Sequence, residues 1–281
     1  MKKYLSLIKF SHTIFAMPFA MIGFFLAVWH EGYPFSLQKL LLVVSCMVFG
    51  RSASMAFNRI LDAEYDKENP RTAKREIPTG VIKKSSASIF TMLCVLAFVI
   101  SSFFLNTLCF ILSPVALLVI LGYSYTKRFT HLSHFILGLG LSLAPIGAYI
   151  AVTGQFSFLP ILLAIAVLCW VSGFDIIYAL QDEAFDLKNQ LHSIPVWLGK
   201  KKALFLSSFV HVLCFFSLMG IGSKANFGIW YWIGLGIFTL LLIYQHIIVK
   251  PNDLSRVNVA FFTTNGIASV IFAAFVMVEI F

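Results

Sequence analysis

Long apolar runs separated by short polar stretches make up most of this chain of 281 residues. Nine segments are apolar nearly throughout: 12–30, 38–58, 86–105, 107–126, 134–152, 159–181, 203–221, 227–248 and 258–280. Each is close to the ~20 residues with which a helix, rising about 1.5 Å per residue, crosses a hydrocarbon core of about 30 Å. Apolar and polar positions do not alternate with period two, which argues against a membrane β-barrel. The pattern predicts an all-α integral membrane protein with nine transmembrane helices, forming a single membrane domain over residues 1–281. The first segment follows Lys2, Lys3 and Lys9 and so mimics a secretory signal. Its apolar run is too long for an h-region and lacks a small-x-small cleavage site, so it is kept as the first span.

Composition narrows the classes. Residues are 59% hydrophobic and 12% charged, whereas a soluble domain carries about a quarter charged residues on its surface. Thirty phenylalanines against 12 acidic residues exclude disorder, a coiled coil and an acidic tail. A formal charge of +9 would suit a nucleic-acid binder only if a polar basic domain existed, and none does. Cys46, Cys94, Cys109, Cys169 and Cys214 all fall inside apolar runs without metal or disulfide spacing and read as small buried hydrophobes.

In a membrane protein a basic excess records orientation. With the N-terminus cytoplasmic, the inner side holds Lys2, Lys3, Lys9, Arg59, Lys67, Arg71, Lys74, Arg75, Lys83, Lys84, Lys127, Arg128, Lys188, Lys200, Lys201, Lys202, Lys250 and Arg256. These are 18 of the 21 basic residues, leaving Lys39 and Lys224 outside and Arg51 within a span. The expected topology is therefore N-terminus cytoplasmic and C-terminus outside, in a cell inner membrane. The two long polar connections, about 59–85 and 182–202, both belong to the inner side.

Each long connection opens with an acidic cluster. Asn58, Asp62 and Asp66 are spaced by four residues, so on a helix they share an arc of about 80°. Asp175, Asp182 and Asp186 share a face if the sixth helix continues, because seven residues make nearly two turns. Carboxylates this close repel unless they share a cation. Mg²⁺ suits them, since it binds through one or two carboxylates together with substrate phosphates. Arg71, Lys74, Arg75, Lys127, Arg128 and Lys188 supply the complementary bases, and acids with bases alongside describe a diphosphate site. Read singly, each of these charges is an ordinary solvated helix end; it is the repetition on two helices of the same polarity that points to a site. Asp175 lies about 10 Å deeper than Asp182 along the helix, a costly place for an acid unless it faces a cavity.

These residues resemble the two signatures of the UbiA superfamily of intramembrane prenyltransferases, Asn-x3-Asp-x3-Asp at Asn58, Asp62 and Asp66 and Asp-x3-Asp at Asp182 and Asp186. The run from Arg71 to Gly80, the basic run from Tyr123 to His131, Asp175-x2-Tyr178-Ala179 and Leu198-Gly199 are similar to the family's flanking sequences. The resemblance covers the chain from about Lys9 to the last helix. Arg59 departs from it, standing where many members carry an Asp. The resemblance implies nine helices around a central cavity with the acidic motifs at its cytoplasmic mouth. It also implies transfer of a polyprenyl group from polyprenyl diphosphate to an aromatic acid in quinone biosynthesis. The Phe57-Asn58-Arg59 version of the motif looks most like members acting on 4-hydroxybenzoate; a dihydroxynaphthoate acceptor is the alternative.

On this reading Asn58, Asp62, Asp66, Asp182 and Asp186 hold Mg²⁺ ions that clamp the diphosphate, with Asp62 and Asp182 central to catalysis. Arg71, Arg128 and Lys188 contact phosphate directly, with Lys127 and Lys74 behind them. Asp175 orients the acceptor or assists removal of its proton. Lys9, His12 and Arg51 are candidates for the acceptor's carboxylate, and Tyr123, Tyr125 and Tyr178 for sheltering an allylic cation. A secondary transporter is the rival from another class, but transporters place their sites near the midplane on broken helices. A haem carrier is disfavoured because His131, His134 and His192 read as loop residues, leaving His211 and His246 without a ligand pattern.

Overall fold

The computed structural model of the protein describes residues 2–8 and 15–281. Lys9 and His12 lie outside the described residues. Among those described, the regular elements are helical. They are α1 (Lys2–Leu7), α2 (Met17–Phe25, continued as a π-turn over Leu26–His30), α3 (Leu37–Leu61), α4 (Ala63–Glu68), α5 (Lys84–Leu105) and α6 (Thr107–Thr126). There follow α7 (Ser133–Thr153), α8 (Phe158–Ala179), a 3₁₀ turn over Leu180–Asp182, and α9 (Glu183–Lys188). The chain ends with α10 (Ile194–Lys224), α11 (Ile229–Ile248), a π-turn over Val259–Thr264, and α12 (Asn265–Ile280).

Among the described residues eight helices are long and apolar enough to cross a membrane, and Met17–His30 is a shorter apolar helix. The protein is a multi-span membrane protein. Polar caps mark the helix starts: Ser36 accepts from the Lys39 amide at 3.3 Å, Asn106 from Cys109 at 2.9 Å, and Ser193 from Val196 at 3.4 Å. Each satisfies one of the amides that a first helical turn leaves unpaired.

Burial ranks the helices. In α8 and its continuation, 67% of the central window is inside the protein, against 11% for α6. The core is therefore organised on α8, which packs between α7 and α10. Its fully buried Trp170 meets Phe19 of α2 and Phe238 of α11, and both of these rings meet Phe272 of α12. By contrast α5 and α6 turn Met92, Leu96, Phe103, Ile111 and Leu118 outward, a face that only lipid accommodates. Lipid supplies no hydrophobic drive between helices, so close contact depends on small residues. At Gly23, for example, a Cβ would sit 2.2 Å from the carbonyl oxygen of Pro145, which brings α2 directly onto the α7 backbone.

Two irregularities position the site. α3 ends at Leu61, and Asp62, with ψ near 7°, joins it to the short α4. Within α10, Gly199 has φ +72°, a left-handed value that separates the first turn from the long helix. At the end of the bundle carrying Asn58 and Asp182, residues 69–82 run back as turns over the mouth. They are tied down by the Ser6 hydroxyl donating to Glu76, and α1 is seated there by Tyr4 against Phe90 at 5.0 Å.

Candidate active site

A cavity of ≈680 Å³ opens among α3, α4, α6, α7, α8, α9 and the π-turn before α12. Asn58, Asp62, Asp66, Asp175, Asp182 and Asp186 all line it, as do Arg51, Arg71, Lys74, Arg75, Lys127 and Arg128. Lys188, in contrast, is exposed and is not on its wall. The first acidic set arrives on the end of α3 and on α4, where Asn58 donates from Nδ2 to Asp62 Oδ2 at 3.0 Å. The second arrives on α8, the 3₁₀ turn and α9, so the helical face carrying Asp175, Asp182 and Asp186 is tightened at Leu180–Asp182 without leaving the cavity.

Each of the four motif aspartates has a basic partner. Arg71 grips Asp182 with two donors, Nε at 3.1 Å from Oδ1 and Nη2 at 2.5 Å from Oδ2. Its third nitrogen, Nη1, donates to the Tyr178 hydroxyl at 2.6 Å. Arg75 pairs with Asp66 at 2.6 Å, Arg128 with Asp62 at 3.2 Å, and Lys127 with Asp186 at 3.3 Å. Arg128 is further fixed by the carbonyls of Leu61 at 3.1 Å and Ser124 at 3.3 Å. The bases come from two connections, residues 71–75 and 127–128, so the mouth is an acid ring inside a base ring.

The electrostatics follow from this arrangement. Burial pushes the Asp62 carboxyl above its ordinary range, although Lys127 and Arg128 pull it down. Burial acts against the Lys127 ammonium, but Asp186, Asp182 and Asp62 outweigh it and hold its pKa above normal. Arg71 likewise stays above its usual value, because Asp182 and Tyr178 overcome the cost of burial.

The donor set suits a hard divalent cation. Asp66 Oδ2 and Asp186 Oδ2 are buried without a hydrogen-bond partner, an expense that a bound cation would remove. Among the described residues no three acidic, histidine or cysteine side chains converge on one metal position. The fit is thus to paired carboxylates on each side of the mouth, completed by oxygens of another molecule, as Mg²⁺ commonly binds. Arg59 changes this balance: it is buried and its Nη1 lies 4.0 Å from Asp66 Oδ2. A cation therefore stands beside the first motif.

Deeper in the cavity the wall becomes aromatic. Tyr178 stacks on Phe261 at 4.0 Å, and Phe261 meets Phe174 edge-on at 5.3 Å. The π-turn at Val259–Thr264 presents Phe261, held by Asn265 Nδ2 donating back to the Ala260 carbonyl at 2.8 Å. Arg71 lies 5.0 Å above the Tyr178 ring. Tyr123 is on the wall, whereas Tyr125 is 45% exposed and packs against Phe57 instead. Arg51 has no ion-pair or hydrogen-bond partner among the described residues, and its Nε is buried. It sits where the main cavity meets a second one of ≈200 Å³, lined by Val43, Met47, Phe98, Leu112 and Ile150.

Some polar pairings in the structure are not signalled by the sequence pattern. Asn69 donates from Nδ2 to Asp182 Oδ1 at 3.2 Å and accepts the Arg71 amide at 3.0 Å. His134, expected in a loop, is buried in the first turn of α7 and meets Asp175 at 2.7 Å. His211 and His246, which showed no pattern, pair at 2.8 Å between α10 and α11, away from the cavity. Spacing alone signals none of these, because the partners lie on different helices.

Comparison with known proteins gives the same architecture. The sequence model described as the UbiA prenyltransferase family matches residues 16–267. A protein of Vesicomyosocius okutanii subsp. Calyptogena okutanii (strain HA), named 4-hydroxybenzoate octaprenyltransferase, is 30% identical over 266 residues, 91% of this chain and 96% of its own. The apo structure of a UbiA homolog from Aeropyrum pernix K1 superimposes with a TM-score of 0.87 at 31% identity, covering 96% of this chain and 98% of that one. A UbiA homolog from Archaeoglobus fulgidus, solved bound to DMAPP and Mg²⁺, shares the fold with a TM-score of 0.76 at 21% identity over 99% of each chain.

Proposed function

Because the chain belongs to the UbiA prenyltransferase family and is a prenyltransferase, we propose that it moves a polyprenyl group from polyprenyl diphosphate to the ring of an aromatic acid, 4-hydroxybenzoate or a close relative, in respiratory quinone biosynthesis. The observation that carries this reading is the pairing of four aspartates with four bases around one mouth, with a neutral aromatic wall behind it. The names of its relatives support the acceptor, and the DMAPP and Mg²⁺ in the Archaeoglobus homolog support the donor and the ion.

Asn58, Asp62 and Asp66 on one side and Asp182 and Asp186 on the other would hold Mg²⁺, which supplies charge neutralisation for a diphosphate leaving group. Arg71, Arg128 and Lys127 are then free to turn from the carboxylates to the phosphate oxygens, Arg71 and Arg128 as planar forks. The allylic C–O bond breaks as these cations take up the developing charge. Tyr178, with Phe261 behind it, presents a ring face to the allylic carbon. Arg51, a cation without an ion-pair or hydrogen-bond partner among the described residues, receives the acceptor's carboxylate. The apolar cavity beyond Arg51 accommodates part of the isoprenoid, which gains about 0.8 kcal/mol per CH₂ by avoiding water.

The full topology belongs to the same proposal: one membrane domain of nine spans over residues 1–281, N-terminus and site cytoplasmic, C-terminus outside, in the inner membrane. The concentration of basic residues on the motif side supports it. Detergent-purified protein incubated with radiolabelled geranyl diphosphate, 4-hydroxybenzoate and Mg²⁺ tests the activity. A lipid-extractable prenylated acid is expected. Absence of product with this acceptor and with a dihydroxynaphthoate would contradict the reading.

A further inference from the structure

Asp175 and His134 lie outside the diphosphate-binding ring, and the hydrogen bonds around them define which way a proton points. His134 is buried at the start of α7, with 3% of its side chain exposed, whereas Asp175 on α8 keeps 20% of its side chain open to the cavity. The imidazole makes two polar contacts. Its Nε2 is 3.3 Å from the backbone nitrogen of Ile194, at the start of α10. Its Nδ1 is 2.7 Å from Asp175 Oδ2. A backbone amide only donates, so Nε2 must be the acceptor and the neutral ring carries its proton on Nδ1. That proton is donated to Oδ2.

The consequence concerns the other carboxylate oxygen. No described residue besides His134 hydrogen-bonds to Asp175, so Oδ1 is left for a molecule in the cavity. Asp175 stands about 10 Å along the helix from Asp182, with Tyr178 one turn below it. Asp175, Tyr178 and the acidic ring line one cavity, so a phenol whose hydroxyl meets Asp175 would have a neighbouring ring carbon on the side of the diphosphate mouth.

We propose that Asp175 is the proton acceptor for a phenolic substrate and that His134 is its positioning residue, fixing the carboxylate through the Nδ1–H to Oδ2 bond so that Oδ1 meets the hydroxyl. The proposal rests on the prenyl-transfer reading above. The allylic C–O bond breaks with its electron pair leaving on diphosphate, and the ring carbon ortho to the hydroxyl forms the new C–C bond. The hydroxyl proton passes to Asp175 Oδ1, leaving a ring ketone. The ring carbon then loses its hydrogen as a proton to water while Asp175 returns its proton to the oxygen, restoring the phenol and the carboxylate. Overall one proton and one diphosphate are released. His134 does not relay the proton onward, because its Nε2 is engaged by the Ile194 amide.

The test compares Asp175→Asn, His134→Leu and His134→Asn with the parent protein, using geranyl diphosphate, Mg²⁺ and either 4-hydroxybenzoate or 3-fluoro-4-hydroxybenzoate. With 4-hydroxybenzoate, Asp175→Asn lowers kcat at least about 100-fold and His134→Leu roughly tenfold. KM for geranyl diphosphate stays unchanged in both. His134→Asn recovers most of the loss, since its amide offers a donor near the position of Nδ1. The fluorinated acceptor, whose phenol ionises more readily, narrows the gap between parent and variants, a change that a purely structural role does not produce. Variants that match the parent, or that lose the same factor with both acceptors, overturn the proposal while leaving prenyl transfer standing. A parent protein inactive with every acceptor removes the prenyl-transfer reading and this proposal with it.

Discussion

Arg71 holds Asp182 through one edge of its guanidinium, with Nε and Nη2 at 3.1 and 2.5 Å, across 111 positions of sequence. This fork joins the connection after α4 to the turn after α8 and closes the mouth between the two acidic sets. The same donors match a diphosphate, so on the proposed mechanism Arg71 exchanges a protein carboxylate for substrate.

Substituting Arg71 therefore damages donor use more than acceptor use. Arg71→Ala is expected to lower kcat/KM for prenyl diphosphate roughly 100-fold, the scale of losing one donor to a developing oxyanion. Arg71→Lys recovers little, because an ammonium cannot make the fork. Steady-state kinetics with each substrate varied in turn measure both.

Asp62 carries a pH prediction. Burial raises its pKa in the metal-free protein, so its proton persists above the usual carboxylate range. A carboxylate must lose that proton to bind metal. Apparent Mg²⁺ affinity is then lost as pH falls through the raised value. In stability the sign is opposite: without metal, the contribution of protonated Asp62 is present at low pH and is lost as pH rises through that value. Mg²⁺-dependent thermal stabilisation in detergent, followed from about pH 8 to about pH 5, should shrink with acidification. Asp62→Asn should flatten the profile.

Tyr178 separates ring from hydroxyl. Tyr178→Phe keeps the stack on Phe261 and loses only the acceptor for Arg71 Nη1; an activity loss below about tenfold is expected, the scale of one hydrogen bond. Tyr178→Ala removes the ring face as well and should cost a further tenfold or so. Product formation under saturating substrates distinguishes the two.

Gly23 tests the packing. Gly23→Val places side-chain atoms where a Cβ alone would be 2.2 Å from the Pro145 carbonyl oxygen, so α2 must separate from α7. A fall in the detergent melting temperature of several degrees is expected, equivalent to about 1–3 kcal/mol of overpacking.

The helical character of the chain is legible because lipid forces every backbone polar group into local bonds, which leaves long apolar runs as a direct record of helices. The acids that share a helical face are legible for the same reason, since spacing by four or seven is a local geometric fact. Their partners are not. Arg71 reaches Asp182, Lys127 reaches Asp186 and His134 reaches Asp175 only after α3, α6, α7 and α8 have packed. Nor does periodicity reveal the π-turn that brings Phe261 to Tyr178, because one extra residue in a turn leaves the apolar pattern intact. Lys188 shows the converse: proximity in sequence to Asp186 did not carry it to the cavity wall.

The central claim is that two sets of carboxylates act together on one diphosphate. Its most direct test is Mg²⁺-dependent prenyl transfer by Asp62→Ala and Asp182→Ala, one from each side of the mouth, alongside the parent protein with divalent cations chelated. The account predicts folded protein, by gel filtration in detergent, with transfer abolished in all three cases. Full activity in either variant, or in the chelated parent, would contradict it.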